Sequence, residues 1–298
     1  MTAWLITGGS GMLARDLLSR LHSAGLEAVA LTRADLDVTD PVSVTVALER
    51  FQPSVVVNCA AWTAVDDAEE QETAALAVNG AGSRNLAVAC RATGAVLLHV
   101  STDYVFAGDA TSPYAEDAPS APRSAYGRTK LAGEEAVLEV IPDTSYVVRT
   151  AWLYGAGGGN FVATMIKLEA ARDTIDVVDD QRGQPTWTVD LADQLLRLGT
   201  AALAGSAPAG VYHGTSSGEV TWFGLTQQIF RLIGADPDRV RPTTSEAFRR
   251  PAPRPAYSVL GHDRWTAAGV EPIRPWGDAL AEAVPHLLAL QRIKKALG

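Results

Sequence analysis

Short runs of consecutive apolar residues alternate with longer amphipathic stretches through the first half of the chain. The apolar runs are Ala3–Thr7, Ala28–Leu31, Val55–Asn58, Val96–Val100 and Tyr146–Arg149. A strand covered on both faces shows an unbroken apolar run instead of an alternation, so these segments predict five buried strands. Between them, Met12–Ala24, Val42–Phe51, Thr73–Thr93 and Ala125–Leu138 have helical patterning. Pro41 suits the first turn of its helix, with Asp40 as the N-cap. The regular alternation of strand and helix predicts an α/β fold, a Rossmann-type doubly wound parallel sheet with right-handed crossovers.

The rhythm breaks after about Trp152. A Gly-rich stretch, Gly155-Ala156-Gly157-Gly158-Gly159, is followed by helical patterns at Phe161–Arg172, Asp190–Leu203, Trp222–Ile233 and Gly277–Leu290, separated by Gly- and Pro-rich links. This organisation predicts a nucleotide-binding domain over 1–152 and a smaller α/β substrate-binding lobe, mainly 153–298. The stretch 187–210 is expected to rejoin the first domain.

Composition narrows the possible functions. With 298 residues, 47% of them hydrophobic, the chain can bury a sizeable core and is not a disordered polymer. The net charge of -9 and the lack of a long basic run argue against nucleic-acid binding, which depends on neutralising phosphates. The two cysteines, Cys59 and Cys90, match no zinc spacing and read as buried apolar residues. No apolar run is long enough to span a membrane, and the start of the chain lacks the basic and apolar regions of a signal peptide. A cytoplasmic location is expected.

Candidate chemistry begins at Thr7-Gly8-Gly9-Ser10-Gly11-Met12-Leu13-Ala14, between the first strand and the first helix. Glycines there permit a tight turn and close approach of the backbone to a pyrophosphate, and the helix N-terminus offers free N–H groups. Gly8, Gly11, Met12 and Leu13 are therefore cofactor candidates. The second strand ends in Thr32-Arg33, where an acidic residue would hold the ribose hydroxyls of NAD. A guanidinium at this place pairs with a 2′-phosphate, favouring NADPH, or is simply a solvated arginine. Asp37 and Val38 follow, placed to edge an adenine.

A second cluster lies further along the chain. The fourth strand runs into Ser101-Thr102-Asp103-Tyr104-Val105-Phe106, and Tyr126 and Lys130 stand four apart on one helix face. Open α/β sheets bind ligands at the carboxyl ends of their strands. A tyrosine there can protonate a carbonyl oxygen that accepts hydride, and a neighbouring ammonium is expected to lower its pKa. Thr102 is placed to donate a second hydrogen bond to the developing oxyanion.

These residues resemble the dTDP-4-dehydrorhamnose reductase family within the extended short-chain dehydrogenases/reductases. The likeness is carried by Gly8–Ala14, Asn58–Asp66, Val78-Asn79, Ser101–Phe106, Tyr126–Glu134, Arg149–Tyr154, Asp180–Thr186 and Arg254–Ser258. It implies reduction of the C4 ketone of a dTDP-4-dehydro-6-deoxy sugar, dTDP-4-dehydro-L-rhamnose to dTDP-L-rhamnose, by NADPH, with NADH also possible. Thr102, Tyr126 and Lys130 would be the catalytic trio. Ala60, Ala61 and Thr63 would follow the centre of the cofactor, with Asn79 supporting the backbone of the site. Trp152 would border the sugar. Asp103, Tyr104, Asn160, Phe161 and Gln181 are further candidates for substrate contacts. Some relatives bind magnesium with acidic residues at a dimer interface. Asp190 alone matches that set, so neither Mg2+ nor a homodimer is assigned. Three alternatives stay open: reduction of another dTDP-4-keto sugar, including dihydrostreptose-type products; an epimerase or dehydratase on the same scaffold; and a non-catalytic NADP-binding regulator.

Several other residues read as structural. His99 lies inside an apolar strand and suits the core. Trp222, Trp265 and Trp276 suit packing anchors. The acidic run through Asp66–Glu72 suits a solvated face. Arg254 either meets a diphosphate or ties down a loop.

Overall fold

A computed structural model describes residues 4–297; Ala3, expected to open the first strand, lies outside them. The nucleotide-binding part begins β1 (Trp4–Thr7), α1 (Met12–Ser23), β2 (Ala28–Leu31), α2 (Pro41–Phe51) and β3 (Val55–Asn58). It continues with α3 (Asp67–Glu70), α4 (Glu72–Leu76), a π-helical turn at Ala77–Ala81, α5 (Gly82–Thr93) and β4 (Val96–Thr102). A 3-10 turn at Asp103–Val105, α6 (Ala125–Val140) and β5 (Ser145–Thr150) complete this half. Then come β6 (Leu153–Tyr154), α7 (Phe161–Glu169), β7 (Ile175–Val178), β8 (Arg182–Gly183), β9 (Thr186–Trp187), α8 (Thr188–Leu203) and β10 (Gly210–His213). The chain ends with β11 (Val220–Thr221), α9 (Trp222–Leu232), β12 (Val240–Thr243), α10 (Arg264–Ala267) and α11 (Trp276–Leu297).

The main sheet is parallel, in the order β2-β1-β3-β4-β5-β10. The order reverses beside β1, where β1 runs next to both β2 and β3, and a doubly wound sheet binds its ligand at such a point. One face is covered by α1 and α8 through Leu13, Leu17, Leu21, Leu191, Leu195 and Leu198. The other is covered by α2, α5 and α6 through Val44, Leu48, Leu86, Cys90 and Val137. Each fully buried leucine contributes roughly 2 kcal/mol, so these two layers fix the sheet firmly enough to hold loops at its carboxyl edge. A separate core of α7, α9, α11, β7 and β12, centred on Ile166, Phe230, Leu280 and Val284, forms the smaller lobe. Among the described residues, no helix is long and apolar enough to cross a membrane.

Beyond the short strands of the smaller lobe, three differences from expectation bear on the main sheet and its helices. The stretch Thr73–Thr93 is not one regular helix, because the π turn at Ala77–Ala81 adds a residue and turns Asn79 inward. The fourth strand extends two residues further, and Thr102 is its last residue. The sixth strand, Gly210–His213, was not among the expected strands. It follows Pro208 and starts at Gly210 with φ +124°, so it sits within a breaker-rich link, yet it pairs in register with Tyr146–Arg149.

Candidate active site

The carboxyl ends of β1, β3 and β4 are tied together by side chains. Thr7, Asn58 and His99 are neighbours in register across the sheet. The Thr7 hydroxyl donates to Asn58 Oδ1 at 2.7 Å, and Asn58 Nδ2 donates to His99 Nδ1 at 3.0 Å. Accepting at Nδ1 leaves the ring proton on Nε2, and burial holds the His99 pKa well below its ordinary value. The Ala60 N–H donates to both Thr7 Oγ1 and Asn58 Oδ1 at 3.2 Å, which fixes the loop that follows β3.

The glycine loop packs against this loop. Gly8 has φ +67°, and a Cβ on it would stand 2.8 Å from Ala60 N. A Cβ on Gly9 would stand 2.9 Å from the Ala30 carbonyl carbon. Only glycine fits either place, and the result is a cradle that lets a ligand reach the backbone at the start of α1. A cavity of about 330 Å³ opens beside it, walled by Gly8, Gly11, Arg33, Asp37, Val38, Ala60, Ala61 and Thr63. The Arg33 guanidinium is 81% exposed and bonds Asp37 only weakly, at 3.4 Å, so it is free to take an anion.

A larger cavity of about 550 Å³ continues past Gly11, Cys59, Ala61 and Thr63, which line both spaces. Its walls carry Met12, Leu13, Thr102, Asp103, Tyr104, Tyr126, Lys130 and Trp152. The residues that fit a dinucleotide and those that fit a reacting ketone therefore share one continuous space.

Tyr126 and Lys130 are presented by α6, whose N-cap Ser124 accepts from the Gly127 N–H at 3.1 Å. A Cβ on Gly127 would overlap the Tyr104 carbonyl oxygen, so glycine sets how closely this helix approaches the turn after β4. The Lys130 ammonium is 2% exposed and donates to the Val100 carbonyl at 2.7 Å. Burial lowers its pKa to about 8, with Glu134 acting in the opposite direction. Thr102 donates to Asp103 Oδ1 at 2.9 Å and accepts from the Tyr104 N–H at 3.2 Å. Asp103 is itself buried, which raises its carboxyl pKa to about 6.

One electrostatic expectation is corrected. The Tyr126 phenol is not lowered by Lys130. Burial raises it to about 12, with Thr102 pulling it down and Asp103 pushing it up. The desolvation of the phenolate by its surroundings outweighs a lysine that donates elsewhere, to a carbonyl.

Three candidates lie outside the cavity walls. Asn160 caps α7, accepting from the Ala163 N–H at 2.9 Å and donating to the Gly155 carbonyl at 2.8 Å. Gln181 donates to Ser245 at 2.8 Å and accepts from Trp222 Nε1 at 3.1 Å. Phe161 packs on Trp222. Both amides are committed to structure. Phe161 and Gln181 meet Trp222, on which Trp152 stacks at 3.4 Å and 7°. Gly183 lies on the same indole: a Cβ there would stand 2.6 Å from it. Trp152 has φ +48°, a strained conformation for a bulky residue that the sandwich maintains.

Asn79 supports the site directly. Its amide accepts from the Trp62 N–H at 2.8 Å, and donates to the Trp62 carbonyl at 3.2 Å and to the Thr129 hydroxyl at 3.0 Å. Thr188 and the Gly157–Gly159 loop also line the cavity, which pattern alone did not reveal. Arg254 ties down a loop, pairing with Asp66 at 2.9 Å. Asp190 is held by Arg274 through two bonds of 3.0 Å, and Glu282 binds the same guanidinium at 2.6 Å. No cluster of three metal-binding side chains occurs among the described residues.

Comparison with known proteins agrees with this geometry. Residues 1–289 match the family described as RmlD substrate binding domain. The dTDP-4-dehydrorhamnose reductase of Streptomyces griseus is 63% identical, over 95% of this chain and 93% of its own. The dTDP-4-keto-6-deoxy-D-glucose reductase of Streptomyces niveus is 54% identical, over 96% and 98%. The dTDP-4-dehydrorhamnose reductase of Bacillus anthracis, crystallised with NADP, superposes with a TM-score of 0.89 at 35% identity, covering 95% of this chain and 98% of that one. A glycine cradle and a Thr–Tyr–Lys site in one cavity, on a chain matched over nearly its whole length, place this protein in the RmlD family of dTDP-4-dehydrorhamnose reductases.

Proposed function

We propose that the chain reduces the C4 ketone of a dTDP-4-dehydro-6-deoxy sugar with NADPH, the favoured reaction being dTDP-4-dehydro-L-rhamnose to dTDP-L-rhamnose. The observation that carries this reading is the single cavity running from the glycine cradle to Thr102, Tyr126 and Lys130.

The reduced nicotinamide, when bound, supplies the hydride. Gly8, Gly11, Met12 and Leu13 would hold its pyrophosphate, Asp37 and Val38 the adenosine, and Ala60, Ala61 and Thr63 the middle. Arg33 favours a 2′-phosphate and so NADPH over NADH. Lys130, with one ammonium proton on Val100, has two left for the cavity side, where they would meet the nicotinamide ribose. Tyr126 gives its hydroxyl proton to the ketone oxygen as that oxygen gains charge. Its raised pKa keeps the proton in place until then. Thr102, turning its hydroxyl from Asp103 to the ketone, donates the second hydrogen bond. Tyr104 closes the wall edge-on to Tyr126, with ring centres 5.5 Å apart, and Trp152, in the same wall, would border the sugar.

The lobe formed by the later elements would hold the dTDP portion, and the reduced nicotinamide pool places the reaction in the cytoplasm. A second reading has specific support. A relative at 54% identity is named for a different dTDP-4-keto sugar, so a neighbouring sugar is also a candidate substrate.

The test is turnover of purified protein with NADPH and a panel of dTDP-4-keto sugars, with product configuration read by NMR. Tyr126→Phe is expected to lower kcat at least about a hundredfold while NADPH still binds. Normal turnover by that variant, or no NADPH oxidation by the wild type with any sugar, sinks the reading.

A further inference from the structure

A buried ion pair lies behind the Tyr126–Lys130 face of α6, outside the walls of the cavity. Glu134, one turn beyond Lys130, is 1% exposed, and Arg149, near the end of β5, is 5% exposed. Arg149 donates to the Glu134 carboxylate from Nη2 at 2.7 Å and from Nε at 3.0 and 3.1 Å. Its other N–H groups reach the Glu116 carbonyl and the Ser120 hydroxyl. Burying such a pair is a poor way to gain stability, since apolar side chains of the same volume generally serve as well. Its presence calls for a different role.

Lys130 supplies one. An ammonium in a closed pocket needs a negative charge nearby. Of the groups that interact with it, Cys59 stays a thiol, raised to about 12 by burial, and His99 stays neutral, lowered by burial and by Lys130 itself. Tyr126 keeps its proton. Asp103, with its pKa of about 6, is a second carboxylate in the cavity wall, but the carboxylate whose field acts on Lys130 is Glu134, at the i+4 position of the same helix. A bare carboxylate would draw the ammonium onto itself and away from the cavity. Here Arg149 bonds both carboxylate oxygens, and Lys130 bonds to Val100 instead. Glu134 thus contributes its field, offset in part by the charge of Arg149, without capturing the Lys130 protons.

We propose that the Glu134–Arg149 pair is a positioning unit for Lys130: Glu134 keeps the ammonium charged, and Arg149 occupies the carboxylate so that the ammonium still faces the cavity. This rests on the reductase reading for its importance to turnover, but the charge state of Lys130 can be measured without substrate.

The chain has four lysines, so protein labelled with ¹³C at lysine Cε gives a simple spectrum, and Lys130→Met identifies the Lys130 signal. In the wild type that signal is expected to titrate near pH 8. Glu134→Gln lowers the midpoint by about one pH unit, and the alkaline limb of kcat/KM moves down by the same amount. Since Glu134→Gln strands a buried guanidinium, the double variant Glu134→Gln/Arg149→Met, which leaves no unpaired charge, is measured beside it and shifts in the same direction. Glu134→Asp, which retracts the charge, gives an intermediate midpoint. A Lys130 midpoint that is unmoved or raised in the folded variants overturns the proposal, even if kcat falls, since the pair would then only brace the helix. So does a wild-type midpoint in Glu134→Asp if the other two fail to fold. Absence of turnover by the wild type would refute the reductase reading and leave the titration to decide this one.

Discussion

At the scale of single residues, the site carries a cost that its chemistry explains. The Lys130 pKa of about 8 lies below its ordinary 10.5, so between these values the unfolded chain binds more protons and stability rises with pH. Below about pH 8 the fold bears a buried ammonium, a penalty on the order of a few kcal/mol. Lys130→Met is therefore expected to raise the melting temperature at pH 7 while abolishing turnover; a lower melting temperature would show the ammonium to be stabilising. Arg33 tests the choice of coenzyme. Its guanidinium is almost unencumbered, and Arg33→Gln is expected to raise KM for NADPH about tenfold while leaving KM for NADH unchanged. Which residues carry the chemistry was legible in the sequence, because Thr102, Tyr126 and Lys130 sit at fixed spacings on one strand end and one helix. Their charge states were not legible. The expectation that Lys130 lowers Tyr126 failed because burial depends on everything packed around the phenol, which no local spacing encodes.

At the scale of elements, glycines set the distances between parts of the site. Gly133 packs α6 against the π turn, where a Cβ would overlap the Asn79 carbonyl oxygen, and Gly127 does the same at the turn after β4. Gly183 in β8 seats Trp152. Gly183→Ala is expected to displace that indole, cost about 1–3 kcal/mol in urea unfolding, and raise KM for the sugar more than KM for NADPH. Equal changes in both KM values would show that Trp152 does not border the sugar. Strands and helices of the first half were readable because burial on both faces leaves an unbroken apolar signature. The π turn was not, since one extra residue in a helix hardly changes its pattern. The strand Gly210–His213 was hidden because four residues beside Pro and Gly look like a loop until the sheet edge at β5 calls for a partner.

At the scale of the whole molecule, the main sheet and α6 carry Thr102, Tyr126 and Lys130, while the later elements carry Asn160, Phe161 and Gln181, of which Phe161 and Gln181 meet Trp222, the stacking partner of Trp152. The same scale bears on metal dependence. Arg274 already neutralises Asp190 and Glu282 where the lobe meets α8, so the carboxylates have a resident cation. Activity is expected to be unchanged by EDTA and the melting temperature unchanged by added magnesium; a loss of either kind would mean that the metal displaces the guanidinium. Both indoles of the Trp152–Trp222 stack pack on the core of the smaller lobe, one in the cavity wall and the other on α9. Two parallel indoles at this separation couple their electronic transitions, so the protein carries its own optical strain gauge. Binding of a dTDP sugar that draws Trp152 off its partner will change the near-ultraviolet circular dichroism, whereas NADPH alone will leave the indole part of that spectrum as it was. A signal that moves with NADPH alone would show that the stack responds to the nucleotide end of the cavity instead.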